Sequence, residues 1–498
     1  MMVIKNKHLR LFGYGLLLIS IVAFFLTWLQ WYFGIPATIL LIFAFYKVAC
    51  NIKDDQRTIH LSVWVLVLIA LVVISWVLLS GVGGAFPQKP DLHWRNAILH
   101  DLINYPWPVR YTDGFDSSLT YYIGFWMVPA LFGKIIAITL GTQAGWIAAN
   151  VASAIYCMAM IFVVTLLLMS RLNVTSHKKM LLVLGVLVFF SGMDILPTIL
   201  NKILDNDSIG IHLEWWNYIQ YSANTTQLGW VFNQAVPAWL ATSLLIHEEK
   251  VNNYAFLGLL LLPYAPLPLV GVVYLMVVEG FRRGLSMAKT GKLSAFFLQI
   301  FTAPNIIGAL IILPIYYLYY STNMAATNTA SYFNEFHLIS YLGFIIFEFA
   351  FVAIMIWRHS FRSPFFLPSI IGLFIIPLFK FGGAQDFCMR ASIPLLFILM
   401  LYTMDYLVNS KLDLASTRHG INKQAIPLLI VLLIGAATPL DEYRASYLQI
   451  IDSGSHCISI FADKFKTLNN GSMERDNFIT KDASNTFFYQ HLAKGDKK

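Results

Sequence analysis

The sequence predicts an all-α integral membrane protein with about thirteen transmembrane helices, from its composition, its apolar runs and the placement of its charges. Of 498 residues, 58% are hydrophobic and only 12% are charged, whereas soluble domains carry about 25% charged residues. Several apolar runs reach the ~20 residues that cross a ~30 Å hydrocarbon core. Lysine and arginine fall between these runs, so the net charge of +8 reflects membrane topology and argues against nucleic-acid binding.

Basic residues between the apolar runs set the predicted orientation. Lys5, Lys7 and Arg10 precede the first run, which places the amino terminus in the cytoplasm under the positive-inside rule. We expect a multi-pass protein of the cytoplasmic (inner) membrane, with residues 1–440 as the transmembrane domain and residues 441–498 as a small external lobe. The predicted spans are residues 11–31, 36–50, 61–79, 145–169, 180–196, 228–246, 255–262 with 267–279, 306–320, 338–357, 365–379, 391–407 and 426–437.

The apolar segment 121–140 has two interpretations. If it spans the membrane, Arg171 becomes external, against the positive-inside rule. If it lies along the outer surface or re-enters, the charges downstream agree with the rule. Pro129, Gly133 and Lys134 interrupt the segment, and a lysine at mid-membrane costs several kcal/mol. We therefore expect it to lie at the surface or to re-enter, as the end of a long external loop at residues 81–142.

That external loop carries the first candidate site. A short helix is predicted at residues 91–104, and its spacing lets one side rest on the membrane. A carboxylate beside histidine and arginine at a membrane surface is suited to act as a general base next to an anion site. The alternative is a solvated loop with scattered charges. The polar residues considered are Asp91, Asp101, Asp113, Asp116, His93, Asn96, Arg95 and Arg110.

A second cluster, residues 380–394, lies where a predicted span begins at the outer face. It carries Lys380, Asp386 and Arg390. Asp386 and Arg390 are four residues apart, so an ion pair along a helix is one interpretation. The other is a guanidinium that is presented to a phosphate at the mouth of the bundle.

A third cluster, residues 214–241, is an aromatic and polar approach to a span, with Asn233 and Gln234 near its outer end. Tryptophan and tyrosine are enriched at membrane interfaces, but with asparagine and glutamine they are also suited to stack on and hydrogen-bond sugars. All three clusters are predicted on one side of the membrane. This shared side predicts an outward-facing cavity.

The chain resembles the GT-C superfamily of polytopic membrane glycosyltransferases. A long external loop follows an early span and has an acid near its start, Asp91 in PQKPDLHWRNAILHDL. The loop ends in FWMVPALFGK, which is similar to the segment that closes the first loop of protein O-mannosyltransferases. The span number and the external carboxy-terminal lobe also match. The stretches NTTQLGWVFNQAVPAWL and AQDFCMRASIPLLFILML resemble poorly characterised bacterial members.

The resemblance implies transfer of a hexosyl or pentosyl group from a polyprenyl-phosphate donor to a glycan, lipid or protein acceptor on the external face. Asp91 would be the general base, with Asp101, Asp113 or Asp116 as fallbacks. The donor phosphate would be held by cations, and the sugar or acceptor by polar side chains. The cations are Arg390, Lys380, Arg110 and Arg95, and the polar side chains are His93, Asn96, Asn233, Gln234 and Asp386.

The residues themselves predict no metal site, because the four cysteines match neither a metal-ligand spacing nor a disulfide framework. The resemblance leaves the metal requirement open, since some members use Mg²⁺ or Mn²⁺ and others use none. Cell-envelope polysaccharide synthesis is the implied setting.

Two further functions remain open at this point. A polysaccharide polymerase or ligase would share the donor chemistry, and Arg95 and Arg110 would then matter more than Asp91. A transporter or flippase of a lipid-linked or small polar substrate would need charges at mid-membrane. Among the candidates Asp194, Glu348 and Asp405, only Glu348 is predicted at mid-span. This scarcity favours the enzyme.

Overall fold

The structure is a computed structural model. It describes residues 2–53, 55–111, 116–174, 176–205, 213–214, 219–324, 338–381, 386–409, 425–454, 458–462, 467–470 and 475–495. Within these ranges the chain is mostly α-helical, with two small antiparallel sheets. The sheets are a β1–β2 pair and a three-stranded sheet in the order β3-β4-β5. Their strands are β1 (Met2–Lys5), β2 (Thr58–Leu61), β3 (Arg110–Tyr111), β4 (Ser117–Leu119) and β5 (Ile479–Lys481).

Twenty-one α-helices lie in the described ranges. The first nine are α1 (Asn6–Trp28), α2 (Trp31–Asn51), α3 (Val63–Leu79), α4 (Leu92–Asn104), α5 (Gly124–Leu140), α6 (Thr142–Arg171), α7 (His177–Phe189), α8 (Ile195–Asp205) and α9 (Asn224–Leu245). The others are α10 (Tyr254–Leu261), α11 (Pro266–Lys289), α12 (Leu293–Ile300), α13 (Ala303–Ile307), α14 (Leu313–Tyr320), α15 (Leu338–Ile345), α16 (Phe351–Ser360), α17 (Phe366–Ile375), α18 (Asp386–Ala391), α19 (Ile393–Asn409), α20 (Ala425–Gly435) and α21 (Ala437–Ser453). The π-helical segments Gly308–Ile312 and Ile346–Ala350 join α13 to α14 and α15 to α16.

Six helical segments of the described chain are long and apolar enough to cross a membrane. They are Asn6–Trp28, Trp31–Asn51, Thr142–Arg171, Ala303–Tyr320, Leu338–Ser360 and Ala425–Asp452. Large apolar side chains such as Trp64, Ile138 and Leu433 are 83%, 81% and 73% exposed. Water would oppose such exposure and lipid would not. The prediction of a multi-pass helical membrane protein is therefore confirmed.

Helix α1 defines two ends of the bundle. At its beginning, the buried guanidinium of Arg10 pairs with Asp55 at 3.0 Å and with Glu248 at 2.7 Å. At its end, the backbone N–H of Lys494 donates to the carbonyl of Trp28 at 2.9 Å. We name these the amino-terminal face and the loop face. Twenty-three residues of helix separate them by about 34 Å, close to the thickness of a bilayer.

A buried histidine lies at the amino-terminal face, beyond the end of α9. His247 Nε2 donates to the carbonyl of Leu167 at 3.1 Å, and Nδ1 accepts from the Asn6 amide at 3.3 Å. One nitrogen donates and one accepts, so the contacts fit a neutral imidazole. Burial, followed by the charges of Arg57 and Arg10, lowers the pKa of His247 to about 3.

This histidine predicts a loss of stability in acid. Because the folded-state pKa lies below the unfolded value of about 6.5, stability is complete above pH ~6.5 and declines below it, by up to ~1.4 kcal/mol per pH unit. Thermal unfolding of the detergent-solubilised protein between pH 7.5 and 5 measures this decline. His247→Gln, which cannot be protonated, is expected to show a shallower slope, and the exposed His60→Gln should keep the wild-type slope. Equal slopes for His247→Gln and wild type would contradict the assignment.

Helices α5 and α6 form a tight antiparallel hairpin that turns at Gly141, where φ is +90°. A Cβ on Gly133 would lie 2.7 Å from the carbonyl oxygen of Gly145, and a Cβ on Gly145 would lie equally close to that of Gly133. Only glycine at these positions allows the two backbones to approach so closely. Helix α5 therefore packs antiparallel along the amino-terminal half of α6.

The other end of α5 lies deep in the bundle. Phe125 packs against Tyr156 with ring centroids 5.5 Å apart, and the Tyr156 hydroxyl donates to the carbonyl of Leu16, midway along α1. Lys134 Nζ donates to the carbonyls of Ile103 (3.1 Å) and Leu102 (3.5 Å) at the end of α4, so its charge is solvated by backbone rather than lipid. This arrangement fits the re-entrant form of the prediction for residues 121–140 better than a helix along the surface.

The carboxy-terminal segment, residues 458–495 as far as described, packs onto the loop face. Strand β5 pairs with β4 of the long loop, with Ile479 opposite Leu119. Phe488 packs against Tyr319 of α14 with ring centroids 5.2 Å apart, and Ala493 forms a bridge with Leu29. Of the predicted lobe, residues 441–498, the part from 458 to 495 is thus joined to the loop and to the first helix, whereas residues 441–453 belong to α21.

Candidate functional site

Four segments that are distant in sequence meet at the loop face. They are the start of α4, the Tyr121–Tyr122 pair before α5, the kinked helix α9, and the short helix α18. The Tyr122 hydroxyl hydrogen-bonds to Arg390 and Gln234, and the guanidinium groups of Arg95 and Arg390 interact electrostatically with Tyr121. Residues from all three predicted clusters therefore interact, while their shared side of the membrane and the outward-facing cavity stay predictions.

Arg390 lies at the centre of this site and is only 7% exposed. Its Nη2 is 2.8 Å from Asp386 Oδ1, and its Nη1 donates to the Tyr122 hydroxyl at 3.0 Å. Its Nε has no partner among the described residues. Burial lowers the pKa of Arg390, but Asp386, Tyr122 and Asp91 outweigh burial and raise it above the ordinary value. Arg390 is thus a buried, permanently cationic group with a spare donor.

Asp91 and Arg95 lie one helical turn apart at the start of α4. Arg95 Nη1 donates to the Asp91 carbonyl at 2.9 Å and lies 3.7 Å from Asp91 Oδ2. Arg95 is 5% exposed and its Nε has no partner among the described residues. The Asp91 side chain is 51% exposed and does not cap the helix. Asp91 is therefore a carboxylate near two guanidinium groups that is still open to an incoming proton donor.

Helix α9 supplies two buried amides. Its backbone leaves helical geometry at Val231, with φ −138° and ψ 34°. Two residues later Asn233 is fully buried, and both of its side-chain polar atoms lack a partner among the described residues. Gln234 Nε2 donates to the Tyr122 hydroxyl at 3.2 Å, while its Oε1 is unpaired in the described chain. An unpaired buried polar group costs about 1–3 kcal/mol, which a polar ligand could offset.

Sequence reasoning missed Tyr122. Its hydroxyl lies between Arg390 and Gln234 and so joins the second and third clusters. It also missed the pairing of Lys89 with Glu442 of α21, whose carboxylate accepts from Trp230 Nε1 at 3.2 Å. Lys89 and Glu442 are 353 residues apart, so nothing local in the sequence could have connected them.

Three other predicted site residues contact the carboxy-terminal segment instead. Asp101 is fully buried, and its Oδ2 accepts from the backbone N–H of Leu468 at 2.9 Å. Asp116 accepts from the backbone N–H of Ser484 at 2.6 Å, and Arg110 Nη1 lies 3.6 Å from Asp116. These contacts attach the segment to the loop, and they leave Asp91 as the predicted base that interacts with Arg390. Asp113, the remaining fallback, lies outside the described residues.

The remaining predicted residues lie at the edge of the site. His93 is exposed and its ring contacts the carbonyl of Pro90. The Asn96 amide donates to Gln88 at 2.6 Å, so it supports the loop rather than facing the amides of α9. Lys380 is partly buried beyond α17.

The site does not fit a resident divalent cation. Mg²⁺ needs near-octahedral oxygen coordination, whereas Asp91 and Asp386 each face a guanidinium. No group of three His, Cys, Asp or Glu side chains in the described chain could hold a metal ion. Comparison of the chain with protein-family models, with curated proteins and with solved structures finds no match.

Proposed function

We propose that the protein is a GT-C-type membrane glycosyltransferase that moves a sugar from a polyprenyl-phosphate donor to an acceptor hydroxyl at the loop face. One observation carries the proposal. A carboxylate (Asp91), a buried guanidinium (Arg390) and unpaired buried amides (Asn233, Gln234) come together from separate parts of the chain. Each matches one part of such a reaction: a base, a phosphate ligand and a sugar ligand.

In this mechanism Arg390 binds the donor phosphate. Guanidinium pairs well with phosphate oxygens, and the spare Nε supplies a further donor. As the bond between the anomeric carbon and the phosphate oxygen breaks, its electron pair goes to the phosphate, whose added charge Arg390 stabilises. Tyr122 and Asp386 hold the guanidinium in place, with contacts of 3.0 and 2.8 Å.

Asp91 is the proposed base. The acceptor oxygen attacks the anomeric carbon while its proton passes to the Asp91 carboxylate, so the released polyprenyl phosphate leaves as an anion. In this proposal Asn233 and Gln234 exchange hydrogen bonds with sugar hydroxyls. Binding would satisfy amide atoms that otherwise remain buried and unpaired. This provides a physical reason for the site to prefer a polyhydroxylated ligand.

A transporter is the second candidate, and one observation favours it. Glu348, in the π-helical segment Ile346–Ala350, hydrogen-bonds to Asp194, and both are buried. Glu348, the acid predicted alone at mid-span, is thus one of a pair. Asp194 also accepts from Thr438 at 2.9 Å and from Ser191 at 3.2 Å. Buried acids in membrane segments often lie on transport pathways.

Incorporation of labelled sugar from a panel of polyprenyl-phosphate sugars into acceptors tests the proposal. Membranes with wild type, Asp91→Asn and the exposed control Asp452→Asn are compared at equal expression. Loss of a general base typically costs 10²–10⁴-fold. We expect Asp91→Asn to lower the transfer rate by about a hundredfold, since water can reach the half-exposed site. Asp452→Asn should transfer at the wild-type rate.

The alternatives give different results in the same assay. Transfer by wild type that survives Asp91→Asn would contradict the assignment of the base. Extension of long lipid-linked chains, rather than addition of one sugar, would indicate a polymerase or ligase. An inactive wild type whose substrate uptake into vesicles depends on Glu348 would indicate a transporter.

A further inference from the structure

A long apolar groove lies away from the candidate site, between α10, α11, α12 and the segment Ala303–Tyr320. Its volume is about 860 Å³, and its lining is apolar except for Tyr254 and Asn305. Val277 and Phe281 of α11 are 63% and 68% exposed along it. The groove is therefore open on one side, where lipid would surround the bundle.

A cationic side chain lies beside the groove, against Tyr254 of its lining. The Arg283 guanidinium lies over the Tyr254 ring, 5.6 Å from its centroid. Tyr254 is only 7% exposed, and neither its hydroxyl nor Arg283 Nη1 has a hydrogen-bond partner among the described residues. Two buried donors without acceptors, on side chains that contact each other, point to an anionic ligand.

The other Arg283 contacts fix this guanidinium. Its Nε donates to Glu279 at 2.6 Å and its Nη2 to the carbonyl of Glu248 at 2.9 Å. Glu248 also pairs with Arg10, so the polar end lies at the amino-terminal face. Lys289 and Lys292 follow at the α11–α12 turn. The positive charge therefore lies at the depth expected for lipid headgroups.

Dimensions favour one lipid chain. From Arg283 to Leu269, α11 rises by about 21 Å, which exceeds the ~15 Å of hydrocarbon in one leaflet, half of a ~30 Å core. Helix α12 continues the apolar surface. Leu298 in this helix is 75% exposed, and Phe301, just after its end, is 67% exposed. An exposed apolar helix beside lysines is typical of segments that lie in the membrane interface.

We propose that this groove binds one anionic phospholipid. Its phosphate accepts from Arg283 Nη1 and the Tyr254 hydroxyl, and one acyl chain lies along α11. Asn305 takes no part, since its amide group already bonds to backbone of Phe256, Val251 and Ile300. The site is on the opposite face from Arg390, so its test does not depend on sugar transfer.

Native mass spectrometry of the full-length protein tests the site. The protein is delipidated in mild detergent and titrated with phosphatidylglycerol or with phosphatidylcholine of the same chains. We expect one tightly retained phosphatidylglycerol per protein. Tyr254→Phe removes one hydrogen bond to a charged group and no bond within the described protein, so we expect about tenfold weaker retention with unchanged thermal stability.

A second variant tests the groove itself. Gly280 lies in the lining, and a Cβ there would have no atom within 4 Å. Gly280→Phe should fill the groove and abolish retention. Gly185→Phe on α7 is the matched control, because a Cβ there is equally free, and it should retain the lipid.

The proposal would be overturned if both lipids were retained equally, or if Tyr254→Phe bound phosphatidylglycerol as wild type does. It would also be overturned if polyprenyl phosphate displaced phosphatidylglycerol at equal concentration, since the occupant would then be an isoprenoid. If Gly280→Phe fails to fold, the Tyr254→Phe comparison still decides.

Discussion

Replacing Arg390 by glutamine is expected to lower kcat/KM for sugar transfer by about a thousandfold, or about 4 kcal/mol. Glutamine keeps a polar side chain but removes the charge from a site that is 7% exposed. The leaving phosphate would then develop charge in a buried place without a cation. Removing a single donor to such a charge already costs about 10²–10³-fold, and Arg390→Gln removes several.

Arg390→Lys is expected to recover only part of this loss. The lysine amine cannot form the fork that contacts both Asp386 and Tyr122. Arg444→Gln is the matched control, because Arg444 forms a similar helical ion pair with Asp441 but is 65% exposed. Initial rates at varied donor concentration, with unfolding temperatures measured in parallel, separate a loss of transfer from a loss of folding.

A folded Arg390→Gln protein that transfers sugar at the wild-type rate would remove the phosphate ligand from the mechanism. A variant whose KM alone rises would place Arg390 in ground-state binding only. In either case Arg95, whose Nε is likewise unpaired among the described residues, would be the next cation to test.

Replacing Asp101 by alanine is expected to detach the carboxy-terminal segment from the loop. The Asp101 carboxylate is fully buried and accepts from the Leu468 backbone and from the Tyr111 hydroxyl at 3.1 Å. Burial and then Asp101 raise the pKa of Tyr111 well above its usual value, so the phenol remains a donor. Removing the Asp101 carboxylate leaves two buried donors unpaired. This lowers the free energy of unfolding by about 2–6 kcal/mol, at 1–3 kcal/mol each.

Limited proteolysis at the loop face measures this detachment. Asp101→Ala should make residues 475–495 accessible to cleavage at low protease concentration. Asp116→Asn should change cleavage little, because the Asp116 side chain is 39% exposed. Equal protection of the wild type and Asp101→Ala would show that β4–β5 pairing and the contacts of Phe488 hold the segment without Asp101.

The sequence predicted those parts of the fold that local patterns determine. The helix predicted at residues 91–104 is α4, Leu92–Asn104, because its spacing and the following Pro106 act locally. One predicted span, residues 180–196, was wrong in its bounds. Helix α7 ends at Phe189 and α8 begins at Ile195. Gly192 lies between them, and a Cβ there would lie 2.3 Å from the carboxylate of Glu348.

For the candidate site, the sequence predicted which clusters carry polar and charged side chains but not which of those side chains interact. Topology alone placed Asp91, Arg390 and Gln234 on one side of the membrane, since each lies near the end of a span. Some of these acids accept hydrogen bonds from residues near the carboxy terminus, as Asp101 does from the Leu468 N–H. The sequence did not show which acids do so. Such pairings follow from tertiary packing, which no local pattern encodes.

The pairing of β4 with β5 also constrains how the protein is made. Residues 117–119 pair with residues 479–481. Some 360 further residues must therefore be synthesised after β4 before this sheet can form. Helices on either side can insert and pack earlier, but the surroundings of Asp91 and Arg390 stay incomplete until then. Translation that stops short of residue 479 would thus yield an inserted bundle with an unfinished candidate site.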